Sequence, residues 1–380
     1  MSGLRKQLLL NHLQKVQEVI GDSSEPQSER EDTLDDLPTF DDKSSHSQSI
    51  RESLLKENIV TWNEFFDKKK IVKIVEREHN FNYYYNLPKI ITERSIPIYI
   101  FHHGAGSSGL TFANLAKELY ARMNEKCGCF SFDARGHGDT VSTLPVGKRT
   151  KIKYNRDEFV DDFKTFINYI YDTYLISLPQ EKLSIILVGH SLGGSICTFT
   201  LNQIRPDIRK NILGVSMFDI VEEAAIQALQ TVQHFLYSTP NKFPSYRDAI
   251  DWHVNNGLSR LQSSAEISIP ALFQKLKDGS VSRKTDLKIF SPYWDTWFTG
   301  LSHQFVTSAT CKLLILAGND NLDKELIIGQ MQGKYQLVVF QESGHFLQED
   351  APKKCALTLI DFWKRNDNKN VVIESNWGSK

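Results

Sequence analysis

The chain has 380 residues, a length that predicts one large domain with additional segments, because a single hydrophobic core stops growing at about 250–300 residues. Hydrophobic residues make up 40% and charged residues 24%, as in an ordinary globular protein, and the net charge of −1 argues against a nucleic-acid partner. The five scattered cysteines and the lack of an apolar run of about 18 residues indicate free thiols and no membrane span, so we expect a cytoplasmic or nuclear protein.

Residues 1–20 form the first predicted element, a short amphipathic helix whose aliphatic side chains recur near one face. Its basic residues faintly resemble a mitochondrial transit peptide, but we favour a helix that packs on the domain or on a partner. Residues 21–56 are rich in Ser, Asp and Glu and poor in large apolar side chains, so they cannot bury enough surface to offset their ordering entropy. We predict a disordered acidic linker there.

From residue 57 the chain alternates between predicted strands and helices. Strands are predicted at 71–78, 81–86, 97–104, in CGCFSFDARGHG, and at 183–191, 213–219, 312–320 and 335–340, and helices at 110–123, 156–175, 195–204 and 351–366. This alternation predicts an α/β fold whose mostly parallel sheet carries helices on both faces, with the first two strands antiparallel. Ligands of such sheets bind beyond the carboxyl ends of the strands.

Residues 224–308 interrupt this alternation. The segment combines helical stretches with the polar run KDGSVSRKTD and the aromatic cluster SPYWDTWF, and we expect it to contain no strand–helix alternation of its own. We therefore predict an insertion that covers the active edge of the sheet as a lid. It divides the sheet domain into residues 57–223 and 309–366, and a tail follows at 367–380.

The G-x-S-x-G motif at 189–193 lies between a predicted strand and a predicted helix, which is the context of a nucleophile elbow. An elbow needs a sharp turn, and glycines two residues on either side of Ser191 permit it. The hydroxyl would then project from the sheet, and the N-terminus of the following helix would favour negative charge on the substrate. The motif predicts an α/β-hydrolase fold with Ser191 as the nucleophile of an ester-cleaving triad.

A serine nucleophile needs a histidine base and an acid that holds this base. The chain order in this fold is serine, acid, histidine, and His345 follows the last predicted strand, so we predict His345 as the base. Two aspartates end strands where the acid belongs, Asp219 in GVSMFD and Asp320 in LLILAGND. Spacing alone leaves the choice between them open.

Backbone amides for an oxyanion hole are predicted at two places. Leu192 directly follows the nucleophile, and the loop HGAG at 103–106 is a variant of the HGGG-type motif, in which we favour Ala105 and keep Gly104 as the alternative. The adjacent His102 and His103 predict no metal site, because neighbouring strand positions point to opposite faces.

Arg135 lies in another predicted strand-end loop, DARGHG. It is a candidate for binding a carboxylate of the substrate. We favour the other interpretation, in which Arg135 braces neighbouring loops through Asp133 or Asp139.

Several segments together resemble the protein phosphatase methylesterase family. They are HHGAGSS, DARGHGDT, LVGHSLGGSI, MFDIVEEAA, AIDWHVNNG, YWDTWFTGLS, LLILAGNDNLDKELIIGQMQGKYQ and SGHFLQEDAP, and they span roughly residues 95–365. The elbow and DARGHG are shared by many α/β-hydrolases, whereas MFDIVEEAA, YWDTWFTGLS and GQMQGK are far more specific. The resemblance implies removal of the methyl ester from the carboxy-terminal leucine of the type 2A protein phosphatase catalytic subunit, without a cofactor.

The resemblance also bears on the site residues. The family's triad aspartate opens a D-[IV]-V-E segment that maps to Asp219, which favours Asp219 over Asp320. HHGAG replaces the family's frequent three-glycine loop, and alanine still offers an amide. Because the implied substrate is a protein tail, Trp294, Trp297 and Phe298 are candidates for lining a groove, although packing of the lid explains them equally well. We expect a monomer whose protein partner is the phosphatase.

Two alternative functions remain from the sequence. The first is a general carboxylesterase or lipase on the same fold, although the polar run in the insertion does not suit the apolar lid of a lipase. The second is a phosphatase-binding regulator whose hydrolase site is incidental.

Overall fold

The computed structural model describes residues 59–91, 94–230, 232, 238–318 and 322–370, with residues 150, 151 and 370 described by their backbone alone. The predicted helix at 1–20, the predicted linker at 21–56, the alternative acid Asp320 and the tail beyond residue 370 lie outside the described residues. Within this part of the chain, no helix is long and apolar enough to cross a membrane.

One large sheet forms the centre of the structure. The strands, in chain order, are β1 (Lys68–Ile74), β2 (His79–Asn86), β3 (Ile96–His102), β4 (Gly128–Phe132), β5 (Val141–Ser142), β6 (Leu183–His190), β7 (Ile212–Phe218), β8 (Lys242–Phe243), β9 (Phe273–Lys275), β10 (Val281–Arg283), β11 (Cys311–Ala317) and β12 (Gln336–Phe340). The large sheet has the order β1-β2-β4-β3-β6-β7-β11-β12, and the short β5 pairs with β2. Strand β2 pairs antiparallel with β1, β4 and β5, and the remaining neighbours pair parallel, which confirms the predicted mostly parallel sheet.

Burial distinguishes the centre of the sheet from its edge. Every residue of β3 and β6 is buried, as continuous apolar runs predict for parallel strands covered on both faces. The edge strand β1 begins with three lysines and is mostly exposed or half-buried. Charged residues on an edge strand oppose pairing with other chains.

Helices cover both faces of the sheet. They are α1 (Ala113–Arg122), α2 (Arg156–Ile170), α3 (Leu192–Thr200), α4 (Pro206–Arg209), α5 (Glu222–Leu229), α6 (Tyr246–Asn255), α7 (Gln262–Ser268), α8 (Asp295–Phe298), α9 (Leu301–Thr307), α10 (Lys324–Met331), α11 (Leu347–Asp350) and α12 (Pro352–Asn366). Helix α2 packs beside α3 on one face, and α12 packs beside α1 on the other. Phe159, Phe163 and Phe166 of α2 are fully buried, as the helical spacing of its apolar residues predicts.

The predicted lid contains a small sheet of its own, in the order β8-β10-β9. Phe243 of β8 pairs with Val281 of β10, and both belong to a separate apolar cluster formed by the lid together with Ile59. The expectation of no strand–helix alternation in 224–308 is therefore wrong, because α6 and α7 lie between β8 and the β9–β10 hairpin. Strands of two or three residues are too short for an alternating pattern to reveal, and their pairing joins distant parts of the sequence.

The lid contacts the loops at the carboxyl ends of the large sheet. Lys284 forms an ion pair with Asp139 at 2.6 Å, and Thr285 Oγ1 donates to Gly136 O at 2.7 Å. Leu287, in the 3-10 segment Leu287–Tyr293, packs against Gly106. These contacts place the lid beside the loops that follow β3 and β4.

Candidate active site

Ser191 lies in a tight turn between β6, which ends at His190, and α3, which begins at Leu192. Its backbone has φ 51° and ψ −121°, a region that residues other than glycine rarely adopt. The Ser191 N–H donates to Phe218 O at 2.9 Å, and Ser191 O accepts from the Gly194 N–H at 2.9 Å. The strand–turn–helix arrangement predicted from the motif is thus present, with a half-buried serine at its apex.

The glycines of the motif are required by close approaches of the backbone. A methyl group on Gly189 would lie 2.1 Å from Gly193 O, and one on Gly193 would lie 2.0 Å from His102 O. Both clashes involve main-chain atoms, which cannot move aside as a flexible side chain can. A side chain at either position would therefore separate α3 from the strands beneath it.

Asp219 and His345 form a hydrogen-bonded pair beside this turn. Asp219 follows β7, with φ 51°, and its Oδ2 lies 2.7 Å from His345 Nδ1. The other oxygen, Oδ1, accepts from the Ala317 N–H at 2.7 Å, which fixes the carboxylate. Since Asp219 Oδ2 accepts, His345 Nδ1 carries the proton and Nε2 remains available as a base. Within the described part of the chain, Ser191 Oγ is not hydrogen-bonded to His345.

His190 holds the loop that carries His345. His190 Nε2 donates to His345 O at 2.8 Å, and the two rings lie 4.6 Å apart. Burial lowers the pKa of His190 well below its usual value, and the proximity of His345 lowers it further, so His190 is neutral near pH 7. No role for His190 was predicted from the sequence, although His190 directly precedes the nucleophile in the motif.

Residues Glu349 and Asp350 connect the same loop to the lid. Asp350 accepts from the Gly344 N–H at 2.7 Å and from the Arg260 N–H at 2.8 Å. Glu349 is buried and accepts from Thr111 Oγ1 at 2.5 Å and from Ser268 Oγ at 3.0 Å. Burial raises the pKa of Glu349 to about 7. The loop carrying His345 and the lid thus share one polar network.

The loop after β3 lies directly against Ser191. A methyl group on Gly104 would lie 3.1 Å from Ser191 Cβ, and Ala105, one residue further, is exposed. Leu192, the first residue of α3, directly follows Ser191 and carries the other backbone amide predicted for the oxyanion hole. The structure therefore brings Gly104 against Ser191, with Ala105 and Leu192 adjacent in sequence to these two residues.

A buried histidine, His103, determines how the Gly104–Ala105 peptide is oriented. His103 Nε2 accepts from the Ala134 N–H at 2.9 Å, so the proton is on Nδ1, which donates to Gly104 O at 2.8 Å. In a trans peptide the carbonyl and the following N–H point in opposite directions. The Ala105 N–H is therefore directed away from buried His103.

Two further histidines hold the same loop. His102 Nδ1 donates to His103 O at 2.9 Å, and His137 Nε2 accepts from the Gly106 N–H at 2.9 Å. Burial lowers the pKa of both histidines, to about 3 for His102. The partners in these two hydrogen bonds are main-chain atoms. No group of His, Cys, Asp and Glu suited to a metal ion occurs among the described residues. The contacts of His102 and His137 with this loop were not predicted from the sequence, in which the adjacent His102 and His103 were weighed only as a metal site and rejected as one.

Arg135 is not available to a substrate. Its guanidinium is buried and donates to Asp162 Oδ1 at 2.8 Å, with Glu158 at 3.1 Å as a second carboxylate. Arg135 does brace its surroundings, but the predicted partners Asp133 and Asp139 are wrong. Asp162 and Glu158 belong to α2, and no local pattern reveals which helix packs over this loop.

The aromatic residues Trp294, Trp297 and Phe298 are at most 9% exposed. Trp297 Nε1 donates to Tyr154 O at 2.7 Å, and its ring lies 6.2 Å from that of Phe159. These contacts fit the packing interpretation for Trp297, which joins the lid to α2 through Phe159.

Comparisons with known proteins show the family and the fold of this chain. A family model described as alpha/beta hydrolase fold matches residues 97–352. The chain is 54% identical over 383 residues to protein phosphatase methylesterase 1 of Candida glabrata, covering 99% of this chain and 98% of that protein. The protein of the same name from Saccharomyces cerevisiae is 52% identical over 391 residues, covering 99% and 97%, respectively. The Aspergillus fumigatus protein of that name is 37% identical over 83% of this chain and 74% of its own length.

Solved structures with low sequence identity share the fold. An E-2-(acetamidomethylene)succinate hydrolase is 17% identical with a TM-score of 0.61, covering 78% of this chain and 98% of that chain. A peroxisomal alpha-beta-hydrolase from Saccharomyces cerevisiae is 14% identical with a TM-score of 0.58, covering 80% and 91%. The chain therefore belongs to the protein phosphatase methylesterase family of the α/β-hydrolase superfamily, and it is a carboxylic ester hydrolase.

Proposed function

We propose that this enzyme removes the methyl ester from the carboxy-terminal leucine of the type 2A protein phosphatase catalytic subunit, with Ser191, Asp219 and His345 as its triad. The observation that carries the proposal is the 2.7 Å contact between Asp219 and His345 beside the turn of Ser191. The name shared by relatives that are 52% and 54% identical supports the substrate.

In the proposed mechanism, His345 Nε2 takes the proton of Ser191 while Oγ attacks the carbonyl carbon of the leucine methyl ester. Asp219 keeps the proton of His345 on Nδ1 and stabilises the imidazolium. The negative charge of the tetrahedral intermediate is stabilised by the amides of Leu192 and Ala105, with Gly104 as the alternative donor.

The intermediate collapses with departure of methanol, whose oxygen receives the proton from His345, and leaves the leucine carbonyl bonded to Ser191 Oγ. A water molecule then gives a proton to His345 and attacks this acyl-enzyme. Collapse of the second intermediate returns the proton from His345 to Ser191 Oγ and releases the phosphatase tail as a carboxylic acid, which ionises by giving its proton to water. His345 transfers the proton in each step at the reacting atoms, so the proposed mechanism needs no cofactor.

The contacts of Asp323, a described aspartate close to Asp320 in the sequence, also support Asp219 as the acid. Asp323, which follows β11, caps α10 by accepting from the Leu326 N–H at 2.9 Å and also accepts from Ser302 Oγ. It is therefore engaged away from His345. We prefer Asp219 to Asp320 because Asp219 already forms a hydrogen bond with His345 Nδ1.

The test of this proposal is demethylation of methylated phosphatase by the full chain and by Ser191→Ala. We expect the wild type to release the methyl group as methanol and Ser191→Ala to lose at least about 10⁴-fold in rate. Ser177→Ala, at an exposed serine after α2, is the matched control and should act as the wild type does. Unchanged demethylation by Ser191→Ala would overturn the proposed triad.

A second measurement addresses the alternative of a general carboxylesterase. Rates on methylated phosphatase and on N-acetyl-leucine methyl ester are compared at equal enzyme concentration. The proposal expects a much higher kcat/KM for the protein, since remote contacts contribute to transition-state binding. Equal values of kcat/KM for the protein and the small ester would instead support a general esterase.

A further inference from the structure

Arg283 is a half-buried cation in the lid that, unlike Arg77 and Arg135, has no carboxylate partner among the described residues. It ends β10, and its guanidinium carbon lies 5.1 Å from the centre of the Phe273 ring. Arg135 and Arg77, by contrast, each meet Asp162 and Glu158 in ion pairs. Among the described residues, no carboxylate lies within ion-pair distance of Arg283.

The hydrogen-bonding capacity of Arg283 is largely unused. Nη1 lies 3.4 Å from Gly106 O and Nη2 lies 3.4 Å from His253 Nε2, and both distances are long for such bonds. His253 Nδ1 donates to Ala249 O at 2.7 Å, so His253 Nε2 is an acceptor. Arg283 Nε is enclosed and has no partner in the described structure. A guanidinium offers five N–H donors, so most of them remain free.

Such an arrangement is unfavourable for a group that stays charged. Burial lowers the pKa of Arg283 to about 10, so the side chain is still protonated near pH 7. A cation removed from water costs free energy unless an anion or full hydrogen bonding compensates for it. The planar fork of a guanidinium fits the two oxygens of a carboxylate. No described residue supplies such a carboxylate, so the guanidinium fork is open to a carboxylate of a bound molecule.

The position of Arg283 places such a carboxylate next to the reacting ester. Gly106, whose carbonyl Arg283 contacts, is two residues after Gly104, which lies against Ser191. Two peptide units span at most about 7.6 Å between their Cα atoms. A carboxylate held by Arg283 thus lies within a few residues' reach of an ester at Ser191.

We propose that Arg283 binds a carboxylate of the polypeptide whose ester is cleaved, at the edge where the lid meets the loop 104–106. This inference rests on the proposed function for the source of that carboxylate. The source is either an acidic side chain close to the terminal leucine or the terminal carboxylate that hydrolysis creates. An acidic side chain would raise affinity for the substrate, and a terminal carboxylate would raise affinity for the product.

The test measures equilibrium binding to the full chain carrying Ser191→Ala, which prevents turnover of esters. The first arm compares N-acetyl-leucine with its methyl ester by calorimetry. The second arm compares tetrapeptide methyl esters ending in leucine, with Asp or Asn at each of the three preceding positions. We expect the carboxylate member of at least one pair to bind about tenfold more tightly, and Arg283→Gln to abolish this preference.

The two arms distinguish the source, because preference in the first identifies the product and preference in the second identifies a substrate side chain. Arg247→Gln, at an exposed lid arginine paired with Glu266, is the matched control and should keep the preference. Absence of a preference in both arms, or a preference that survives Arg283→Gln, would overturn the inference. If Arg283→Gln does not fold, Arg283→Lys serves instead, because it keeps the charge without the fork and should weaken the preference at least threefold. An Arg283→Lys variant with undiminished preference would also overturn the inference.

Failure of this inference and failure of the proposed function give different results. Loss of demethylation in Ser191→Ala tests the triad, whereas binding to the inactive chain tests Arg283. Binding of N-acetyl-leucine through Arg283 by an enzyme that fails to demethylate the phosphatase would reject the proposed substrate and keep this inference. Demethylation of the phosphatase without any Arg283-dependent binding would keep the proposed substrate and reject this inference.

Discussion

Asp219 Oδ2 lies 2.7 Å from His345 Nδ1, although 126 residues separate the two in the chain. Asp219 ends one strand of the sheet and His345 lies in the loop after another, so the contact depends on the order of the strands. Its consequence for catalysis is the tautomer of His345, because a carboxylate at Nδ1 leaves Nε2 free to accept a proton. The first prediction concerns this tautomer.

Asp219→Asn should lower kcat on methylated phosphatase by about 10⁴-fold, because the amide of asparagine can donate to Nδ1 and favour the wrong tautomer of His345. Asp320→Asn is the comparison variant and should retain most of the activity. The measurement is kcat for both variants under saturating substrate, with folding checked by circular dichroism. A larger loss in Asp320→Asn than in Asp219→Asn would reverse the assignment of the acid.

Gly189→Ala and Gly193→Ala should each lower the free energy of unfolding by more than about 4 kcal/mol or prevent folding, because the added methyl group meets main-chain atoms at 2.1 and 2.0 Å. Gly147→Ala is the matched control, since a methyl group there has nothing within 4 Å. Denaturant unfolding of the three variants measures the effect. A stability of Gly193→Ala close to that of Gly147→Ala would contradict the tight contact between α3 and β3.

His103→Phe should lower kcat by about 10²–10³-fold with little change in KM, because the ring no longer donates to Gly104 O and the Ala105 amide loses its orientation. His103→Asn restores a donor near the place of Nδ1 and should recover part of kcat. His303→Phe, at an exposed histidine that contacts Glu325, is the control. Equal losses in His103→Phe and His103→Asn would show that His103 acts by packing alone.

The pH dependence of stability should reveal Glu349, whose pKa burial raises to about 7 from a usual value near 4.5. The folded protein binds this proton more tightly than the unfolded chain does, so the contribution of Glu349 is complete below pH 4.5 and is lost as pH rises through 7. The Tm of Glu349→Gln relative to that of the wild type should therefore increase between pH 5 and pH 8.

The control for this experiment is Glu342→Gln, at an exposed glutamate. Its Tm should follow that of the wild type at both pH values. Parallel Tm curves for Glu349→Gln and the wild type would contradict a raised pKa for Glu349. Because Glu349 accepts hydrogen bonds from Ser268 of the lid, the same variant also reports on how the lid is held.

The sequence by itself determined those features that depend on neighbouring residues. The alternation of apolar strands and amphipathic helices predicted the parallel sheet, and the two glycines around Ser191 predicted the turn in which it lies. These predictions succeed because backbone conformation and burial of one face follow from residues that are adjacent or one helical turn apart. The position of His345 after the last strand followed from chain order in the same way.

Only the tertiary structure decided which distant groups meet. It brings Asp219 to His345, gives Arg135 the partner Asp162 in place of Asp133 or Asp139, and pairs Phe243 with Val281 in a lid sheet that the sequence did not predict. The physical reason is the same in each case. Hydrogen bonds, ion pairs and strand pairing across the molecule depend on the relative placement of elements, which local periodicity and turn chemistry do not specify.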